Sequence, residues 1–128
     1  MTVLVAYNAS PHGEAAVRTA VAEAVRRNLP LAVLDLDPRH VDDAPSELST
    51  LLEAAGPTIE VAPVMVRPEG RGPADAILDA AETSGATLVV LGSRKRSSLG
   101  SFLMGSTTQR VLLDSPVPVL VVKDVYDH

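Results

Sequence analysis

This sequence predicts an α/β fold: a five-stranded parallel sheet in spatial order 3-2-1-4-5, with helices on both faces. Three observations predict it. Five short apolar runs alternate with four segments whose apolar residues recur at helical spacing, in the order β-α-β-α-β-α-β-α-β. The runs are close to continuously apolar, as in strands covered on both sides, rather than alternating. Pro63 and Pro118 fall in the third and fifth runs, and proline within a sheet is confined to edges, bulges and strand starts. Right-handed crossovers leave few topologies, and the order 3-2-1-4-5 puts both proline-bearing strands outermost.

The elements follow in order. Val3 to Tyr7 reads as a buried strand, and Asn8 to Gly13 as a loop dense in turn residues. From Glu14 a helical period sets in, with Val17, Ala20, Val21, Ala24 and Val25 on one face, ended by Asn28 and Pro30. Leu31 to Leu36 is the second strand, with Asp35 inside it and Asp37-Pro38 closing it; Arg39 to Pro45 is polar and reads as a loop. Ser46 is placed to cap a short helix with Leu48, Leu51, Leu52 and Ala55 inward, stopped by Gly56-Pro57. Ile59 to Val66 is the third strand and Arg67 to Gly72 a loop. Pro73 suits a first helical turn, Ala74, Ile77, Leu78 and Ala81 recur on one face, and Gly85 suits the end. Thr87 to Leu91 is the fourth strand, breaking at Gly92. A helix starts at Gly105 or Ser106 and ends near Asp114, Val117 to Val122 is the fifth strand, and Lys123 to His128 is a polar tail.

Composition narrows the function. The 128 residues suit one domain, 1–128, and 46% of them are hydrophobic. Aromatics are only 2%, so Val, Leu, Ile and Ala must build the core. A net charge of −5 and the lack of aromatic platforms argue against nucleic acid as a partner. No apolar run approaches a membrane span, and no basic n-region opens the chain, so a cytoplasmic protein is expected. There is no cysteine, and His12, His40 and His128 are too scattered to hold a metal. Ser10 and Ser106 lack a His-Asp relay and no paired carboxylates stand out, so catalytic residues and enzymatic activity are not expected.

The stretch from Leu88 to Gln109 carries the chemistry. An apolar run breaks at Gly92 into a loop containing Arg94, Lys95 and Arg96, which closes on Gly105, Ser106, Thr107 and Thr108 before the next helix. Glycine lets the backbone approach a ligand, helix N-termini attract anions and hydroxyls donate, so a phosphate is the expected guest. Ordinary capping explains the same residues without a ligand. Topology adds an independent pointer: the winding reverses between the first and fourth strands, and ligands bind beyond the carboxyl ends at such a reversal. The loops there are Asn8 to Gly13 and Gly92 to Ser106. The chain has neither a Gly-Lys-[Ser/Thr] phosphate loop nor a Gly-x-Gly-x-x-Gly dinucleotide turn.

Three segments together resemble the universal stress protein family: Val3-Leu4-Val5-Ala6-Tyr7-Asn8-Ala9-Ser10, the stretch Gly92 to Ser106, and Ser115-Pro116-Val117-Pro118-Val119-Leu120-Val121-Val122. The nucleotide-binding branch carries Gly-x2-Gly-x9-Gly-[Ser/Thr]. Gly92, Gly105 and Ser106 match it at the right spacing, Lys95 replaces its second glycine, and Asn8 stands where an aspartate is usual. The resemblance implies a Rossmann-like fold of the adenine nucleotide alpha hydrolase-like type. It implies a regulator that binds ATP or a related adenine nucleotide, with Mg²⁺ arriving on the phosphates. Gly92, Gly105, Ser106, Thr107 and Arg94 would border phosphate and ribose. Asn8, flanked by Tyr7 and Ser10, and the strand of Leu34 and Asp35 would border ribose and adenine. Lys95 either blocks a position that needs glycine or adds a cationic donor beside Arg94 and Arg96. The resemblance also implies a homodimer through the last strand, Val117 to Val122. The alternative is a dimeric adaptor that binds no nucleotide and works through protein contacts.

Overall fold

The computed structural model describes residues 1–55, 58–93 and 105–123. Strand β1 (Thr2–Tyr7) leads into helix α1 (Pro11–Arg27), then strand β2 (Leu31–Asp35) and a 3₁₀ turn at Pro38–His40. Helix α2 (Ser46–Glu53), strand β3 (Met65–Val66), helix α3 (Pro73–Ser84), strand β4 (Ala86–Ser93), helix α4 (Ser106–Asp114) and strand β5 (Val119–Lys123) complete it. The sheet is parallel throughout, in order β3-β2-β1-β4-β5. The fold class read from the sequence is therefore the observed one, with the strands that follow Pro63 and Pro118 at the two edges.

Alternation along the strands builds two cores. Leu4, Ala6, Leu34, Val89 and Leu91 face Ile77, Ala80 and Ala81 of α3 and Val111 of α4. Val3, Val5, Tyr7, Val33 and Val90 face Ala16, Val17 and Ala20 of α1 and Leu48 of α2. Small residues on α1 and α3 let the helices lie close to branched strand side chains, which is how a core with few aromatics stays filled.

Several boundaries differ from the sequence reading. Helix α1 begins at Pro11 rather than Glu14: Ser10 is its N-cap and accepts from the Gly13 N–H at 3.0 Å, while Pro11 occupies the first turn, where its missing N–H costs nothing. Val25 turns outward, 42% exposed, because the apolar stripe narrows at the last turn. Asn28 ends the helix in the left-handed conformation, φ 56°, and its N–H reaches the Val25 carbonyl. Ser46 is the first residue of α2, not its cap; Pro45 precedes it and gives no side-chain capping bond. Gly56-Pro57 lies outside the described residues.

The third strand shrinks to Met65–Val66 plus a single parallel bridge between Leu31 and Val61, because Pro63 interrupts the ladder between them. Strand β4 does not break at Gly92. It runs on to Ser93, with Gly92 opposite Val122 of β5. Strand β5 starts at Val119 rather than Val117, although the Pro118 carbonyl already accepts from Val89 at 3.0 Å, and it takes in Lys123 from the expected tail. Residues 124–128 lie outside the described part.

Candidate functional site

A cleft of about 1100 Å³ opens beyond the carboxyl ends of β1, β2 and β4, where the winding reverses. Its walls come from the turn after β1, the turn after β2, the loop after β3, the start of α3, the end of β4 and the start of α4. Asn8, Gly92, Gly105, Ser106 and Thr107, singled out from the sequence, all line it.

The turn after β1 is closely knit. The Ser10 hydroxyl donates to Asn8 Oδ1 and accepts from Gly13, and His12 Nδ1 lies 3.1 Å from that same hydroxyl. Asn8 Nδ2 is 3.4 Å from His12 Nε2. The backbone here is as tight as the side chains. A Cβ on Gly13 would lie 2.0 Å from the Asn8 carbonyl oxygen, and one on Gly92 would lie 2.2 Å from the His12 carbonyl oxygen. Gly92 is a glycine because α1 begins directly over it, with an ordinary strand backbone and no break.

The start of α4 is the opposite. Gly105 takes the N-cap position with φ −72° and ψ 163°, a backbone any residue adopts, and a Cβ there would meet nothing within 4 Å among the described residues. Among the described residues no side chain caps the helix, and its first turn holds no acid. Ser106 is exposed and Thr107 half-buried. The first-turn N–H groups and two hydroxyls thus face the cleft with the positive end of the helix dipole behind them.

The remaining predicted residues lie elsewhere. Tyr7 is fully buried in the core beneath α1, and its hydroxyl finds no partner among the described residues. Burial, then the carboxylates of Glu14, Glu47 and Asp35, pushes its acidity to higher pH. Leu34 is buried in the core against α3. Asp35 is buried too, and its carboxylate is committed internally: Oδ1 accepts from the Asp37 N–H at 3.0 Å and Oδ2 pairs with His40 Nδ1 at 2.8 Å. Leu36, Asp37 and Pro38, the residues just beyond, line the cleft instead. Ser10 is occupied as the cap of α1. Arg94 and Lys95 lie outside the described residues.

Two cations line the cleft without having been expected. Arg39 is clasped by Asp37, with Nε and a terminal nitrogen 3.0 and 2.9 Å from the two carboxylate oxygens. That guanidinium holds the Asp37 carboxyl well below the usual carboxylate range. Arg67 donates from Nε to the Leu36 carbonyl and from a terminal nitrogen to the Arg71 carbonyl, both at 2.7 Å. The sequence places Arg67 in a loop but gives no sign of these bonds, which depend on β3 lying beside β2. Among the described residues no cluster of three metal-ligating side chains occurs, and no helix is long and apolar enough to cross a membrane.

With this geometry in hand, comparison with known proteins is informative. The family model described as the universal stress protein family matches residues 1–123. A universal stress protein of Mycolicibacterium smegmatis is 33% identical over 129 residues, covering 94% of this chain and 96% of its own. One from Thermus aquaticus is 32% identical, covering 95% and 98%. Among solved structures, a universal stress protein from Archaeoglobus fulgidus superposes with a TM-score of 0.77 at 30% identity, over 96% of this chain and 98% of that one. Another from the same organism, in complex with dAMP, gives 0.73 at 25% identity, over 96% and 98%.

Proposed function

This chain belongs to the universal stress protein family, and we propose that it is a cytoplasmic regulator that binds ATP or a related adenine nucleotide in the cleft beyond β1, β2 and β4. The observation that carries this reading is the uncapped, acid-free start of α4 opening on that cleft. Gly105, Ser106 and Thr107 would hold a phosphate through first-turn N–H groups and hydroxyls. Asn8 offers an amide beside them for ribose, and Leu36, Pro73 and Ile77 form an apolar wall suited to a base. The Archaeoglobus fulgidus relative solved with dAMP supports adenine as the base. In this reading the nucleotide is a signal rather than a substrate. Mg²⁺, where present, would be carried by the phosphates.

Isothermal titration with Mg²⁺-ATP and with AMP tests this directly. Saturable binding that falls at least about tenfold in Ser106→Asp, whose carboxylate would repel the phosphate, is the expected result. Unchanged affinity in that variant removes α4 from the site, and absence of binding by either nucleotide removes the reading.

A second reading rests on the sheet edge. Among the described residues β5 pairs only with β4, its four apolar residues Val119 to Val122 are half-exposed, and Leu113 on α4 is 83% exposed. Such an edge favours pairing with a second copy by a two-fold contact. A homodimer through Val117 to Val122 serves either a nucleotide sensor or an adaptor that binds none. Sedimentation of the native chain and of Val121→Pro, which removes one edge N–H, separates dimer from monomer; a native monomer would sink it.

A further inference from the structure

Arg67 stands apart among the cations of the cleft. Arg39 is neutralised by Asp37, and outside the cleft Arg71 and Arg110 are paired with carboxylates. Arg67 is half-buried, lines the cleft, and among the described residues has no carboxylate partner. Its two bonds, to the carbonyls of Leu36 and Arg71, consume two of the five guanidinium donors and leave the charge intact. Those bonds also fix the plane of the group. A partly desolvated guanidinium held in place by neutral acceptors, with donors left over, is a preorganised receptor for an anion.

Its position differs from that of the phosphate cradle at α4. Arg67 follows β3 and is tied to the end of β2, whereas α4 follows β4, and β1 lies between β2 and β4. Two strand spacings, about 10 Å, separate β2, to whose end Arg67 is tied, from β4, and β3 lies one spacing further out. Both line one cleft of about 1100 Å³. A single 5′-phosphate cannot occupy both. We propose that Arg67 forms a second anion position in this cleft, so that the preferred ligand is a nucleotide bearing another phosphate on its ribose. This deepens the nucleotide reading and rests on it for the base and the 5′-phosphate.

The competing role for Arg67 is structural: stapling the loop after β3 to the end of β2. The two roles part in selectivity. A staple, when lost, weakens all ligands alike, whereas an anion receptor, when lost, erases a preference. The experiment is calorimetric titration of the native chain and Arg67→Gln with AMP and with adenosine 3′,5′-bisphosphate. The native chain is expected to bind the bisphosphate at least about tenfold more tightly than AMP, a normal effect for a charge-assisted bidentate contact. Arg67→Gln is expected to bring the two ligands within about twofold of each other. Equal affinities in the native chain, or an equal loss for both ligands in the variant, overturns the proposal. If neither nucleotide binds, the nucleotide reading fails and inorganic phosphate decides this one alone. A saturable shift of the Arg67 Nε–H resonance on phosphate addition supports the anion position, and no shift overturns it.

Discussion

Three helices, α1, α3 and α4, start beside the cleft, and the first and last of them start in opposite ways. α1 opens on Ser10, whose hydroxyl caps the Gly13 N–H and bonds Asn8, and its first turn presses against β4 so closely that Gly92 has no room for a Cβ. α4 opens on Gly105 with no acid in the first turn and, among the described residues, with no side-chain cap and free space around the cap residue. Both helix N-termini carry orphan donors, one fewer at α1 because Pro11 has no N–H, and the same dipole. The chain satisfies one from within and leaves the other facing the cleft. The contrast teaches that a helix N-terminus becomes a binding position by what the chain withholds from it. It also separates the two motif glycines: Gly92 lies against the His12 carbonyl, whereas Gly105 has open space around it among the described residues.

The largest expected effect tests the closed side. Gly92→Ala sets a methyl 2.2 Å from a backbone oxygen that cannot rotate away. The strand and α1 must then part, at a cost of about 3 kcal/mol by analogy with overpacked cores. Urea unfolding measures it, and a loss below about 0.5 kcal/mol would show that the contact gives way easily and that Gly92 is not there for packing. Ser10→Ala comes next. It removes the cap of α1 and should lower stability by about 1 kcal/mol, while nucleotide affinity falls only as far as Asn8 is disturbed.

The closed side also traps a hydroxyl. Tyr7 is fully buried and its oxygen has no partner among the described residues. Tyr7→Phe should raise stability by about 1 kcal/mol, since an unsatisfied buried polar group is costly, and should leave ligand affinity unchanged because Tyr7 does not line the cleft. The pH dependence has a definite sign. Burial raises the folded-state value above the ordinary 10.0. The stabilising preference for neutral tyrosine is present below pH 10.0 and is lost as pH climbs through the higher folded value. Alkaline unfolding curves of the native chain and Tyr7→Phe should therefore diverge above about pH 10; parallel curves would show the hydroxyl to be hydrated.

How much of this could be read in the sequence follows the range of each cause. The strand order was legible because Pro63 and Pro118 mark edges by a local rule, and the ends of α1 and α3 were legible because Asn28 and Gly85 take left-handed caps at φ 56° and 65°. The start of α1 was legible in principle: Ser10-Pro11 is a cap followed by a first-turn proline, masked by its likeness to a turn. The role of Gly92 was not legible, since its cause is a carbonyl at His12, on another element. The same holds for Arg67, whose anchor at Leu36 lies 31 residues away in sequence and beside it only once the sheet has formed. Asp35 and Leu34 show a third limit. Strand residues near a switch point read alike whether they face the cleft or the core, and here the core claims both.

The smallest effect on stability gives the sharpest test of the comparison, because it makes α4 resemble α1. Gly105→Asp introduces a capping side chain at a backbone, φ −72° and ψ 163°, that accepts any residue, and into space that holds no other atom within 4 Å of the new Cβ. The carboxylate should accept a first-turn N–H and meet the dipole favourably, raising stability by about 0.5 kcal/mol. That same carboxylate then occupies the donors a phosphate would need and adds a like charge, so Mg²⁺-ATP affinity should fall at least about tenfold. Stability up with affinity down is the outcome in which the vacancy at Gly105 exists for a ligand. Stability up with affinity unchanged would mean that the open start of α4 is merely an uncapped helix, and that whatever fills the cleft is held from the side of Asn8 and Arg67.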